Sequence, residues 1–183
     1  HYPLRRQRQM CIRDRLSIFP TNKEDLVKKI IDRLGVEFDF VPVGYENDIK
    51  TLLTEKFEIL TPTKRLIEYI AKNTSDKKLK SIIDHNNNKE LENYKWGMDV
   101  LDFMNINPNF KIDITDFLGL LKSLQHRTYS ISSSLNKVKN EVHLTVSSVR
   151  WKKDSRNYNG VCSTFLADDC TPCLLYTSPS PRD

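Results

Sequence analysis

The residue pattern predicts an α+β protein, and three observations carry that prediction. From about Asn47 to Leu124 apolar residues recur at helical spacing. After Leu124 the period changes to the alternation of extended chain. A short apolar run, Leu16-Ser17-Ile18-Phe19-Pro20, stands ahead of the helical stretch and reads as a strand ending at proline.

In chain order, Thr21 and Glu24 have the spacing of a capping box. Leu26, Val27, Ile30, Ile31 and Leu34 then form a helical stripe that Gly35 ends. Glu37 to Val41 alternates like a short strand before Pro42. Ile49, Leu52 and Leu53 suggest a short helix. Pro62, after Thr61, is expected at an early position of the next, where its missing N–H is harmless. That helix carries Leu66, Ile67, Ile70 and Ala71; Ser75-Asp76 opens another with Leu79, Ile82 and Ile83. Asn86 to Asn88 reads as a turn. Leu91, Tyr94 and Trp96, then Val100, Leu101, Phe103 and Met104, continue helically, and Thr115-Asp116 starts the last helix, with Phe117, Leu118, Leu121 and Leu124. These stripes are core patterns. His85 has no partner at metal-ligand spacing and reads as a surface helix end. Beyond Leu124, Arg127 to Ser133 is one strand and Val142 to Ser147 a second, which Val149-Arg150-Trp151 extends; Lys152 to Asn159 reads as a polar loop.

The chain has 183 residues, enough for about one domain. Its apolar runs fall short of the roughly 18 residues that span a membrane. The two ends stand apart: HYPLRRQRQMCIRDR (1–15) and LLYTSPSPRD (174–183) resemble translated sequencing adaptors. Residues 1–15 hold five arginines against one aspartate, and 174–183 one of each, so the net charge of +5 falls to +1 without them. That removes the case for nucleic acid as a partner. Cys170 and Cys173 form a lone C-x-x-C at the adaptor-like junction, with no second pair, so no metal site is expected. A reducing cytoplasm is the expected compartment.

Arg127 and Tyr129 are two apart on their strand, so they share a face, with Ser130 on the other. A planar guanidinium suits phosphate and an aromatic ring suits a flat heterocycle, the two ends of a flavin nucleotide. Taken alone, the pattern is more often an amphipathic edge strand. Gly160-Val161-Cys162-Ser163 offers a second anion-holding element: glycine permits close backbone approach, Ser163 is a good N-cap, and a helix start presents free N–H groups.

Three blocks occur in order: Arg127-Thr128-Tyr129-Ser130-Ile131-Ser132-Ser133-Ser134, then Asn140-Glu141-Val142-His143-Leu144-Thr145-Val146, then Gly160-Val161-Cys162-Ser163-Thr164-Phe165-Leu166-Ala167-Asp168. Together they resemble the FAD-binding module of the diflavin reductases, which include cytochrome P450 reductase, nitric oxide synthase reductase and the flavoprotein subunit of NADPH–sulfite reductase. Ser-Thr-Phe-Leu-Ala-Asp looks most like the sulfite reductase branch.

The resemblance implies a partial antiparallel FAD-binding β-barrel with an inserted helical connecting domain. Residues 16–170 would be the module, with barrel strands in 16–20 and 125–170 and a mostly helical insert in 21–124; 1–15 and 171–183 would be non-native tails. The piece would be a fragment of an NADPH-dependent flavin oxidoreductase. In the whole enzyme electrons would pass from NADPH through FAD to an FMN-binding domain and on to a haem and iron–sulfur subunit that reduces sulfite. By the same resemblance Arg127 would bind the pyrophosphate, Tyr129 would stack on the isoalloxazine, and Ser130 would lie near its N5. Thr128, Thr145, Val146 and Ser147 would contact FAD, Trp151 would form an aromatic wall near the nucleotide, and Gly160, Val161, Cys162 and Ser163 would hold phosphate oxygens. Thr63, at a helix start, is a further FAD contact by weak local match, with helix capping as the competing role. His126 replaces the usual proline, Ser147 the usual glycine and Trp151 the usual tyrosine. A P450-reductase-like donor and a connector that no longer holds FAD are the alternatives; flavin content separates the last from the others.

Overall fold

The computed structural model of the chain describes residues 15–85, 87–134 and 136–170. In order the elements are β1 (Arg15–Ile18), α1 (Glu24–Leu34), α2 (Ile49–Thr51), which runs on as the π-helical turn Leu52–Lys56, β2 (Phe57–Glu58), α3 (Lys64–Lys72), α4 (Lys77–Asp84), α5 (Asn88–Lys95), α6 (Val100–Asn105), α7 (Ile114–Leu120), β3 (Lys122–Ser123), β4 (Arg127–Ser130), β5 (Arg150–Lys153), β6 (Arg156–Asn159) and α8 (Val161–Thr164), which ends in the π-helical turn Phe165–Asp169. The α+β class is as expected. Of the expected partial antiparallel barrel, the described residues show three antiparallel pairs, β1–β4, β2–β3 and β5–β6, and no closed barrel. Closure requires every edge strand to find a neighbour, and Val142 to Ser147 supplies only one bridge, Leu144 to Ile131, in place of the expected strand.

The contacts divide the chain into two units: 1–20 with 125–150 and 159–183, and 21–124 with 151–158. The second, helical unit holds the larger core. The stripes read from the sequence fill it: Val27, Ile30 and Ile31 of α1, Leu66, Ile67 and Ile70 of α3, Leu79 and Ile82 of α4, Phe103 of α6, and Phe117 and Leu118 of α7. Each such side chain contributes about 1.5–3 kcal/mol on burial. Among the described residues no helix is long and apolar enough to cross a membrane.

Helix ends depart from the local signals. The Thr21–Glu24 box does not form, because α1 starts two residues late, with Lys23 at its N-cap and no side-chain cap. Asn22, 5% exposed, is recruited instead to tie two elements, its amide donating to the carbonyls of Leu53 and Phe57 at 2.7 Å each. Asn22→Ala leaves both carbonyls short of a donor and is expected to cost about 1–3 kcal/mol, read from the urea midpoint. Gly35 ends α1 as expected, in the left-handed region at φ 73°. Pro62 stays outside α3, whose N-cap is Thr63, and Asp113, not Thr115-Asp116, caps α7. Asp76 caps α4 and His85 ends it, its ring nitrogen paired with the Ser81 carbonyl at 2.7 Å.

Three further expectations are corrected. Glu37 to Val41 forms no strand: the carbonyls of Phe38 and Phe40 are used by the N–H groups of Lys50 and Ile49 at the start of α2. The helical run from Leu91 to Met104 is two helices, broken where Gly97 turns at φ 72° and Asp99 opens α6 with a full capping box. The polar stretch Lys152 to Asn159 is a hairpin, not a loop. Its turn residues Asp154 and Ser155 both have positive φ, the geometry a two-residue hairpin turn requires. Asn86 and residues 1–14 and 171–183, with the adaptor-like ends and Cys173, lie outside the described residues; Arg15, last of the N-terminal stretch, pairs with Ser130.

Candidate functional site

In the first unit, β1 and β4 pair so that Ile18 stands opposite Arg127 and Leu16 opposite Tyr129. Residues directly opposite in an antiparallel pair share a face. Arg127 and Tyr129 therefore lie with Leu16 and Ile18, both almost fully buried, while Thr128 and Ser130 are exposed on the reverse. This is the alternation read from the sequence. The Arg127 guanidinium donates to the Gln125 carbonyl at 2.8 Å.

Tyr129 packs on a small core of Leu16, Ile18, Cys162 and Phe165. Burial, with the Cys162 thiol beside it, pushes its phenol up to about 12. Burial also pushes the Cys162 thiol up, against the Tyr129 hydrogen bond and the Arg127 charge, which pull it down. Cys162 is the second residue of α8. It is thus where Tyr129 meets the start of α8, a contact the sequence reading did not give it.

The turn is built around Gly160, which takes the N-cap position expected of Ser163 and offers no side-chain cap. The Gly160 N–H donates to the Val149 carbonyl at 2.9 Å, and the Thr164 hydroxyl and N–H donate back to the Gly160 carbonyl at 2.8 and 3.1 Å. Ser163 is displaced from the cap because its buried oxygen accepts the Val149 N–H at 3.1 Å. Gly160 itself has an ordinary extended backbone, φ −67°. Glycine is needed there for space: a Cβ would lie 2.9 Å from the Ser163 oxygen and 3.1 Å from the Val149 side chain. Gly160→Ala is expected to lose about 1–3 kcal/mol from this crowding, read by thermal unfolding; an unchanged melting temperature overturns it. Thr145 and Ser147 are exposed and Val146 half-buried, between the Leu144 bridge and β5, and Val161 is half-buried.

Two predicted residues belong to the helical unit. The Thr63 hydroxyl accepts the Leu66 N–H at 3.1 Å and donates to the Leu120 carbonyl at 2.6 Å, so helix capping engages it fully. Trp151, half-buried, stacks on Tyr158 at 5.4 Å between centroids and 6° between planes. Its indole N–H points to the Gly97 carbonyl at 3.4 Å. Sequence reasoning missed the group behind this stack. Arg156 forks onto Asp99 at 2.6 and 3.1 Å and also pairs with Asp102; Tyr158 donates to Asp102 at 2.9 Å. Asp-Ser between Arg-Trp-Lys-Lys and Arg-Asn-Tyr-Asn was the signal available for the hairpin that carries them.

The first-unit residues fit a flavin nucleotide. They combine a cation, a phenol ring on the same strand face, and a helix start held by a glycine whose Cβ position is already filled by neighbours.

Comparison with known proteins agrees. The FAD binding domain family matches residues 9–165. The chain is 30% identical over 163 residues to the sulfite reductase [NADPH] flavoprotein alpha-component of Bacillus subtilis (strain 168), covering 87% of this chain and 27% of that protein. It is 32% identical over 177 residues to the same component from Buchnera aphidicola subsp. Acyrthosiphon pisum (strain APS), covering 92% and 29%. The counterpart from Zymomonas mobilis is 33% identical over 158 residues, covering 85% and 25%. The chain thus spans about a quarter of the length of these curated relatives. It belongs to the FAD binding domain family, and its cofactor is FAD.

Proposed function

We propose that the chain is the FAD-holding part of an NADPH-dependent sulfite reductase flavoprotein, working with an FMN-binding domain and a haem and iron–sulfur subunit. The observation that carries this reading is that Arg127 and Tyr129 share one face of β4, with Tyr129 packed on Cys162 at the start of α8. The names of the relatives supply the reductase type. When bound, FAD supplies the redox chemistry, accepting a hydride from NADPH and releasing electrons singly.

The protein's part is to hold and orient. Arg127 and the backbone of Gly160, Val161 and Cys162 bind the pyrophosphate. The Ser163 hydroxyl accepts from Val149 and donates to the Gly160 carbonyl at 3.4 Å, a long bond it exchanges for a phosphate oxygen. Tyr129 lies against the isoalloxazine, with the backbone of Thr128, Ser130, Thr145, Val146 and Ser147 alongside, since the side chains of Thr128 and Ser130 face the reverse of β4. Trp151 and Thr63 belong to the helical unit, where Thr63 keeps its capping role. The site carries phosphate-binding groups on two separate elements, whereas FMN has one phosphate. FAD is therefore expected to bind at least about tenfold tighter than FMN, the size of one charge-assisted contact. Flavin fluorescence titration of the 183-residue chain with each nucleotide measures this, and equal affinities sink the reading.

A further inference from the structure

We propose that the helical unit carries an anion-binding site, between the end of α1 and the loop after α6, for a small organic molecule bearing a phosphate or carboxylate group. The site goes beyond the flavin reading and does not depend on it, since every residue lining it lies within 21–124. It is a cavity of about 340 Å³, the size of a small-ligand pocket. Leu34, Pro108 and Ile112 form its apolar wall. Arg33, Lys111 and Asn109 supply two cations and an amide, and no carboxylate lines it among the described residues.

Arg33 is the unusual member. It is half-buried, and its Nη2 donates to the carbonyls of Met104, Asn107 and Phe110 at 3.0 Å each. These bonds gather the loop between α6 and α7 and fix the plane of the guanidinium. They leave its unit charge in place, because carbonyls are dipoles and carry no net charge. Among the described residues neither Arg33 nor Lys111 joins an ion pair. The Arg33 Nε–H is also buried without an acceptor. A cation withdrawn from water is ordinarily paired. The acids nearest in sequence do not serve: Asp32 is exposed, and Asp113 caps α7, accepting the N–H groups of Thr115 and Asp116 at 2.8 and 3.1 Å. A fixed planar cation beside a longer-reaching ammonium suits an oxyanion, and the apolar wall suits a short carbon body. Because Arg33 is already held, little ordering is left for binding to impose.

The test titrates inorganic phosphate and phenyl phosphate into the isotope-labelled 183-residue chain and follows the backbone amide signals. Gly35 and Asn109 report this cavity; Gly160 reports phosphate at the proposed flavin site, so the two readings are judged separately. The Gly35 and Asn109 signals are expected to shift and saturate with both probes, at lower concentration with phenyl phosphate, whose ring reaches the apolar wall. Lys111 is exposed, so Lys111→Glu leaves the fold intact. It is expected to weaken both probes at least about tenfold, the size of one charge-assisted contact, while Lys111→Arg should keep the binding. Signals that do not saturate overturn the proposal. So does affinity that survives Lys111→Glu, or phenyl phosphate binding no more tightly than phosphate.

Discussion

Arg127→Ala is expected to raise the FAD dissociation constant about ten- to 150-fold, the effect of about 1.5–3 kcal/mol for a lost charge-assisted contact. The reduction potential of the bound flavin should barely move, because pyrophosphate charge is the same in every redox state. Tyr129→Ala is expected to change both, since the ring it touches is the one whose charge changes. It also removes a ring packed on Leu16, Ile18, Cys162 and Phe165, so Tyr129→Phe is the informative control. Phenylalanine keeps the packing and the stack and loses only the hydroxyl beside Cys162. Flavin titration and a redox titration of each variant measure these effects. If affinity survives both alanine substitutions, β4 does not face the flavin.

The second large effect is on stability. Asp99 is 1% exposed and forked by Arg156, so Arg156→Ala strands a buried carboxylate. The expected loss is about 3–5 kcal/mol, and Asp99→Asn in the same chain should recover part of it. The pH dependence has a definite sign. Burial, then the neighbouring Asp102 charge, hold the Asp99 carboxyl at about 6 against an ordinary 3.8, with Arg156 only partly offsetting them. Burial works against the Arg156 charge too, but the two carboxylates outweigh it and raise its pKa. One cation shared by two carboxylates leaves the group short of positive charge.

Between 3.8 and about 6 the folded chain keeps a proton that the unfolded chain has released. This group's contribution therefore declines as pH rises through that window and is level above it. Without Arg156 the folded value moves higher still, so the loss caused by Arg156→Ala grows with pH and shrinks in acid. Urea midpoints of both chains between about pH 4 and about pH 8 measure it. A pH-independent loss, or one below about 1 kcal/mol, contradicts the ion-pair account.

The α+β class, the helical stripes that fill the larger core, the stop at Gly35, and the shared face of Arg127 and Tyr129 are all legible in the residues alone. These are properties of local period: residues three or four apart meet on a helix and residues two apart on a strand, whatever lies beyond. Tertiary structure decided which residue caps each helix, because a cap depends on where the incoming chain is held. Asn22 is held by carbonyls more than thirty residues away, leaving α1 to begin after Lys23. Ser163 is held by Val149, leaving Gly160 as the cap of α8. It decided the hairpin as well. Beyond the Asp-Ser turn, nothing in Lys152 to Asn159 announces two strands, since their inward side chains are Lys153, Arg156 and Tyr158 rather than aliphatic ones. These become buried or half-buried only because Asp99, Asp102 and the Trp96 and Gly97 carbonyls, more than fifty residues earlier, satisfy their charges and hydrogen bonds. A polar strand has no local signature, because its stability resides in partners that only the fold brings to it.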